Sequence, residues 1–382
     1  MKFLSIMCDM VRPNVLNFDT ASKDSFEGVI KSLNGTLYTN CFSHGPDTGR
    51  SMGCYWSGCT PEENGCNTRA KYPKFYLKVP SFLDDLVNRK YDLYFFTNPN
   101  EKILGVLPPN YENIGIHNED LDLRKFLNKI DMNKENIYVH IVLSDFHWAL
   151  DDYSACGEGV DIGLRILKES INTIFDMIPS QKFDYIMIFS DHGFKYNIEY
   201  QNEEKQYLLN RDRSNTLMYF KTPKDDIFKI NSKLCSLIDV YPTICGLIDK
   251  DYSGKGYSLL EDDEPDFIIS EEHGSFRPQV GQRIEYWALI KKEVIYLRSY
   301  DGYYRDDYKD FELNHDEFDS LLCNNSISFK ETYDQLNILK LYDVMASDKS
   351  VYTNGEKRHF IGRFDLIEKL RRKIRWNQKR TI

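Results

Sequence analysis

The chain has 382 residues, 41% of them hydrophobic and 14% aromatic. That is ample for a large core and long for one compact unit, so one large domain with a smaller C-terminal addition is expected. A formal net charge of −10 excludes nucleic acid as the main ligand, because binding a phosphate backbone needs a basic surface. The nine cysteines are scattered and leave one unpaired, the pattern of thiols in a reducing compartment.

The opening run, MKFLSIMCDM, reads as a first strand at residues 3–7. It is too short to span a bilayer and has no small-residue cleavage site, so a cytoplasmic protein is expected. Further runs rich in β-branched and aromatic residues follow at 93–96, 137–143 and 185–189. Between them, 81–89 and 163–178 carry apolar residues at helical spacing, the second through Ile166, Leu167, Ile171, Ile174 and Phe175. This alternation predicts an α/β fold with a mostly parallel central sheet flanked by helices. Ligands of such sheets gather outside the carboxyl ends of the strands. Asp9 follows the first run, Asp145 and His147 the third, and Asp191 and His192 the fourth, so distant segments would deliver carboxylates and imidazoles to one edge.

Around residue 258 the texture becomes acidic and loop-like, and short strand candidates follow at 286–290 and 294–297. The expected division is a catalytic domain over 1–260, a smaller α+β subdomain over 261–350 and a basic amphipathic helix over 351–382. Within it, over residues 360–382, Phe364, Ile367, Leu370 and Ile374 recur at helical spacing among eight Lys and Arg residues. Such a helix either rests on a membrane surface, here the inner face, or docks on the protein with a solvated basic face.

The segment SHGPDTGRSMGCYWSGCTPEENGC at 43–66 brackets hydroxyl residues with glycines ahead of a helix. That layout exposes an oxygen and aims backbone N–H groups at an anion, although such clusters also serve as turns and caps. Cys54, Cys59 and Cys66 lie close together here, without the CxxC spacing or the fourth ligand of a structural zinc site.

The spacing Thr48, Gly58, Pro61, Gly65 resembles the nucleophile segment of the alkaline phosphatase superfamily, particularly its nucleotide pyrophosphatase/phosphodiesterase branch. Other segments resemble the sulfatase-like branch in chain order: CDMVRPN at 8–14, FSDHG at 189–193, SLIDVYPTICGLI at 236–248, Gly256 with Ser258 and Leu259, and LYDV at 341–344. The resemblance implies a sulfatase N-terminal-type domain in which Thr48 attacks an ester phosphorus beside a divalent ion, Zn, Mn, Mg or Ca, held by Asp9, Asp191, His192 and Thr48 itself. A hard or borderline cation takes Asp oxygens and a His nitrogen, and lowers the pKa of an alcohol bound to it.

Arg50 is expected as a clamp on the phosphate and His147 as general acid or leaving-group contact. A second ion would draw on Asp145 and His273, but no His stands four residues after Asp145 as in the phosphatase pattern. Lys195 and Lys205 are either phosphate contacts or solvated surface lysines. Sulfatases need Cys or Ser for conversion to formylglycine. Thr48 cannot become that aldehyde, and Arg50 stands where the motif has Pro or Ala. The expected reaction is therefore phosphoester hydrolysis or phosphotransfer through phospho-Thr48, on phosphate-substituted glycan or lipid precursors. Sulfoester hydrolysis and a catalytically inactive binding protein are the alternatives.

Overall fold

A computed structural model describes residues 1–67, 77–97, 122–153, 157–194, 209–277, 282–299, 302–307 and 310–330, with the side chains of 273–285 excepted. The central sheet has eight strands: β1 (Lys2–Cys8), β2 (Thr36–Phe42), β3 (Asp92–Phe96), β4 (Ile137–Leu143), β5 (Tyr185–Phe189), β6 (Asn215–Thr216), β7 (Met218–Lys221) and β8 (Lys229–Ser236). Their order is β3-β4-β1-β5-β7-β2-β6, with β8 also beside β2. β3, β4, β1 and β5 are mutually parallel, and β8 is parallel to β2. β7 runs antiparallel to both β5 and β2, so β2 points the same way as β5.

The four runs expected as strands form β1, β3, β4 and β5. β2 and β8 lack an unbroken apolar run, because Thr36, Thr39, Asn40, Asn231 and Lys233 interrupt them.

β1 shows why the sheet is buried on both faces. Phe3 and Met7 pack into one core with Tyr55, Trp56, Phe82 and Tyr138. Leu4, Ile6 and Cys8 pack into a second core on the opposite face with Leu167, Ile171 and Ile174. The alternation follows from the period of two along a strand. Leu167, Ile171 and Ile174 belong to the 20-residue helix Glu158–Met177, whose apolar stripe lies four and three residues apart as an amphipathic helix requires. Helix Phe82–Asn88 covers the other face, close to the expected 81–89.

The smaller sheet, β12-β11-β10-β9, is antiparallel and comprises β9 (Ile268–Arg277), β10 (Gln282–Ile290), β11 (Ile295–Ser299) and β12 (Gly302–Arg305). One of its faces shares a core with Phe42 and Leu234 of the large sheet. The other is covered by Phe318 and Leu322 of helix His315–Asn325 and by Phe329. No helix among the described residues is long and apolar enough to cross a membrane. The basic stretch within 351–382, LYDV at 341–344, Lys195 and Lys205 lie outside the described residues.

Candidate active site

Because β1, β2, β4 and β5 point the same way, whatever follows each of them meets at one edge. β1 and β4 are in register with Cys8 opposite Leu143, and β1 and β5 with Met7 opposite Phe189. Asp9 and Asp191 are therefore placed side by side, each one or two residues past its strand. On its other side the end of β1 is tied to β4, with Asp9 N–H donating to the Leu143 carbonyl at 3.1 Å.

Asp9, Asp191 and His192 are all buried, and a ligand atom from each lies within 4.8 Å of the other two. Met10 adopts a left-handed conformation, φ 69°, uncommon for a residue with a Cβ. It brings the Met10 N–H to Asp191 Oδ1 at 3.2 Å. His192 Nδ1 is 2.6 Å from the Gly193 carbonyl. Since a carbonyl only accepts, Nδ1 carries a proton, which leaves Nε2, 3.4 Å from Asp191 Oδ2, as the nitrogen that would ligate a metal. Gly193 has no room for a side chain: a Cβ there would sit 2.1 Å from the Asp212 carbonyl oxygen.

Asp9 Oδ1 and Asp191 Oδ2 are buried with no hydrogen-bond partner. Two such oxygens cost free energy unless a cation or a proton satisfies them, so with His192 Nε2 they fit a divalent ion. Burial first, and then the charge of Asp9, push the Asp191 carboxyl up to about 6, while hydrogen bonding from Thr48 and Met10 pulls it down. Burial also acts to raise Asp9, but His147 outweighs it and holds Asp9 below the usual carboxylate range.

Thr48 is the first residue of helix Thr48–Ser57. The Asp47 side chain caps this helix by accepting from the Arg50 N–H at 3.1 Å. The nucleophile candidate thus stands at a helix N-terminus, where unpaired N–H groups and the dipole favour an anion. The helix closes at Gly58, φ 64°, whose N–H bonds the Cys54 carbonyl at 2.8 Å. That left-handed C-cap favours glycine.

His147 sits in the first turn of helix Asp145–Asp152, with Nδ1 2.9 Å from Asp9 Oδ2. Burial lowers its pKa, but the charge and hydrogen bond of Asp9 outweigh this and push it up to about 9. His147 is then an imidazolium whose Nδ1–H is committed to Asp9. Its Nε2 lies 3.7 Å from Asp151 Oδ2, too far for a hydrogen bond.

Two expectations fare differently. Arg50 is fully buried, its guanidinium paired with Asp47 and donating to the Asn67 carbonyl. It braces the loop leading into Thr48 instead of standing open as a phosphate clamp, because a side chain two residues past Thr48 leaves the helix on a different side. Asp145 accepts from Ser170 Oγ at 3.5 Å and does not join the Asp9 group. The backbone of His273 pairs with Glu285 in the small sheet, and its side chain is outside the described residues. Cys54 and Cys66 are buried and Cys59 half-buried, all as free thiols, and among the described residues no metal group includes them.

His44 plays a part the sequence did not signal. Its Nδ1 is 2.7 Å from the Ile269 carbonyl, its Nε2 3.2 Å from Ser236 Oγ, and its own carbonyl accepts from Glu271 N–H at 3.0 Å. The loop ahead of Thr48 is thereby stitched to β9 and to the end of β8.

The architecture is a sulfatase and alkaline phosphatase-type fold. BT1596, a 2-O GAG sulfatase, superposes with a TM-score of 0.67 at 12% identity, over 87% of this chain and 93% of its own. A phosphonate monoester hydrolase from Silicibacter pomeroyi gives 0.57 at 11%, over 93% and 96%. BT4656, solved in complex with its substrate D-glucosamine-2-N,6-O-disulfate, gives 0.58 at 11%, over 90% and 97%. No family model matches the sequence, and no curated protein does.

Proposed function

We propose that the chain is a metal-dependent phosphoester hydrolase or phosphotransferase working through a phospho-Thr48 intermediate on a glycan-type ester. The observation that carries this reading is Thr48 at a capped helix N-terminus, close enough to the Asp9/Asp191/His192 group for its hydroxyl to help hold the Asp191 carboxyl down. A divalent ion held by those residues would act as Lewis acid on the phosphoryl oxygens and lower the pKa of the alcohol.

The chain's own residues supply the remainder. Thr48 Oγ gives its proton to water and bonds phosphorus, the bond from phosphorus to the leaving oxygen breaks, and Oγ regains a proton from water when the phosphoryl group later departs. His147, an imidazolium with Nδ1 fixed by Asp9, gives its Nε2 proton to that oxygen. Water or an acceptor hydroxyl then takes the phosphoryl group from Thr48 and returns a proton to Nε2. Beside His147, Trp148 is 44% exposed, an aromatic face suited to stacking on a sugar ring. The sulfated sugar named with BT4656 favours a glycan over a lipid substrate.

The second reading, sulfoester hydrolysis, draws on the sulfatases among the structural neighbours. Thr at position 48 weighs against it, since formylglycine cannot form from threonine. Turnover of matched phosphomonoester, phosphodiester and sulfate nitrophenyl esters separates the two. Mass spectrometry of acid-quenched protein should find a phosphate adduct on Thr48. The reading fails if no adduct forms and Thr48→Ala turns over as the unaltered chain does.

A further inference from the structure

Beneath the site, Tyr55 touches each of the three strands that carry the site's carboxylates and imidazoles. It lies on helix Thr48–Ser57 seven residues after Thr48, two turns down the same side, and is fully buried. Its hydroxyl is 2.7 Å from Ser5 Oγ of β1, four residues before Asp9 and on the same face of the strand. The same hydroxyl is 2.9 Å from Tyr138 Oη of β4. Its ring stacks on Phe189, the last residue of β5 and two before Asp191, with centroids 4.5 Å apart and planes 3° from parallel. Ser5 Oγ is in turn 3.0 Å from His140 Nδ1, also on β4.

The proton count gives this network one consistent direction. Burial pushes His140 down to about 3, so it is neutral and has a single acceptor nitrogen. Tyr138 donates to Tyr55, Tyr55 to Ser5, and Ser5 to His140 Nδ1. His140 Nε2 then carries the hydrogen and is buried with no hydrogen-bond partner; the Trp56 and His140 rings meet edge to face with centroids 4.9 Å apart. In the reverse direction the Tyr138 hydroxyl would donate to nothing and Nε2 would bury a bare lone pair. Hydrogen bonds of this kind fix a helix along its axis, whereas apolar packing tolerates small slides.

We infer that Tyr55 is a positioning residue, setting the height of Thr48 against Asp9 and Asp191 through its bond to Ser5 and its stack on Phe189. This rests on the reading of Thr48 as nucleophile. Misplacing a reacting group by about 1 Å costs on the order of 100-fold in rate; a partial slide should cost roughly tenfold.

The test is steady-state kinetics on a nitrophenyl phosphodiester, with Mn²⁺ titration and thermal melting, for Tyr55→Phe, Ser5→Ala and the double variant. Tyr55→Phe keeps the stack on Phe189 and loses the bonds to Ser5 and Tyr138. Each single variant should lower kcat about tenfold, with KM and Mn²⁺ affinity within about twofold, and the double variant should lose little more than either alone, because the Tyr55–Ser5 bond that ties the helix to β1 is removed by both. Single variants with kcat within twofold of the unaltered chain would overturn the inference, as would kcat, KM and metal affinity deteriorating together. Thr48→Ala, run in parallel, separates the failures: if it retains turnover the nucleophile reading falls, and if it abolishes turnover while Tyr55→Phe does nothing, only this inference falls.

Discussion

His147 and Asp9 form a dyad, Nδ1 to Oδ2 at 2.9 Å, in which each group sets the charge of the other. The carboxylate keeps the imidazole protonated, and the imidazolium keeps the carboxylate ionised. In the proposed reaction this leaves Nε2 to face the departing oxygen.

His147→Asn should therefore slow esters of poor leaving groups far more than activated ones. We expect a loss of about 10²–10³ in kcat on an alkyl phosphodiester, in line with general-acid contributions, and less than about tenfold on a dinitrophenyl ester. Turnover across a series of leaving-group pKa values provides the measurement. Equal losses throughout would remove His147 from the proton-transfer step.

Asp191 carries a prediction of opposite sign with and without metal. In chelator-treated protein, Asp9 and Asp191 oppose one another in a buried space, so Asp191→Asn should raise thermal stability by roughly 1 kcal/mol. Adding millimolar Mn²⁺ or Zn²⁺ should stabilise the unaltered chain by several degrees through mass action and leave the variant almost unmoved. Melting curves with and without chelator decide it.

His44 should make stability acid-sensitive. Burial holds this imidazole down at about 4, against an ordinary value of 6.5, so the folded state keeps it neutral where the unfolded chain takes up a proton. Stability present above pH 6.5 is then lost progressively as the pH falls toward 4, by roughly 3 kcal/mol for the full gap. Urea midpoints between pH 7.5 and 4.5 should fall less steeply in His44→Asn than in the unaltered chain.

Lys233 is buried on β8, and its ammonium donates to the Ser258 carbonyl at 2.9 Å and the Glu261 carbonyl at 2.5 Å. It ties the loop leading to the small sheet onto the large one. Lys233→Met would take the ammonium away from the Glu261 carbonyl and leave the Ser258 carbonyl with only the Glu261 N–H at 3.2 Å, and should cost roughly 2–4 kcal/mol. Because the residue lies away from Asp9 and Thr48 in the site, kcat at low temperature should stay within about twofold.

The sequence by itself determined the strands that are buried on both faces, because burial on two sides demands continuous apolar runs, as in residues 137–143 and 185–189. It also determined which polar residues stand at their carboxyl ends, so Asp9, Asp191 and His192 could be grouped before any coordinates. For helix Thr48–Ser57 the glycine-bracketed segment signalled only that a helix follows; the Asp47 cap and the bounds belong to the structure. Tertiary structure alone decided where the long polar side chains go. Arg50 sits two residues from Thr48 in sequence, yet its guanidinium turns inward to Asp47 and Asn67, because direction around a helix depends on what the neighbouring loop offers. The partners of Tyr55, Ser5 and His140 lie 50 to 135 residues apart, and no local pattern encodes such pairings. The same holds for His44, whose role exists only because β9 passes beside it. Strands β6 and β7 escaped for the related reason that two- and four-residue strands are fixed by the neighbours they bond, and their own sequence carries almost none of that information.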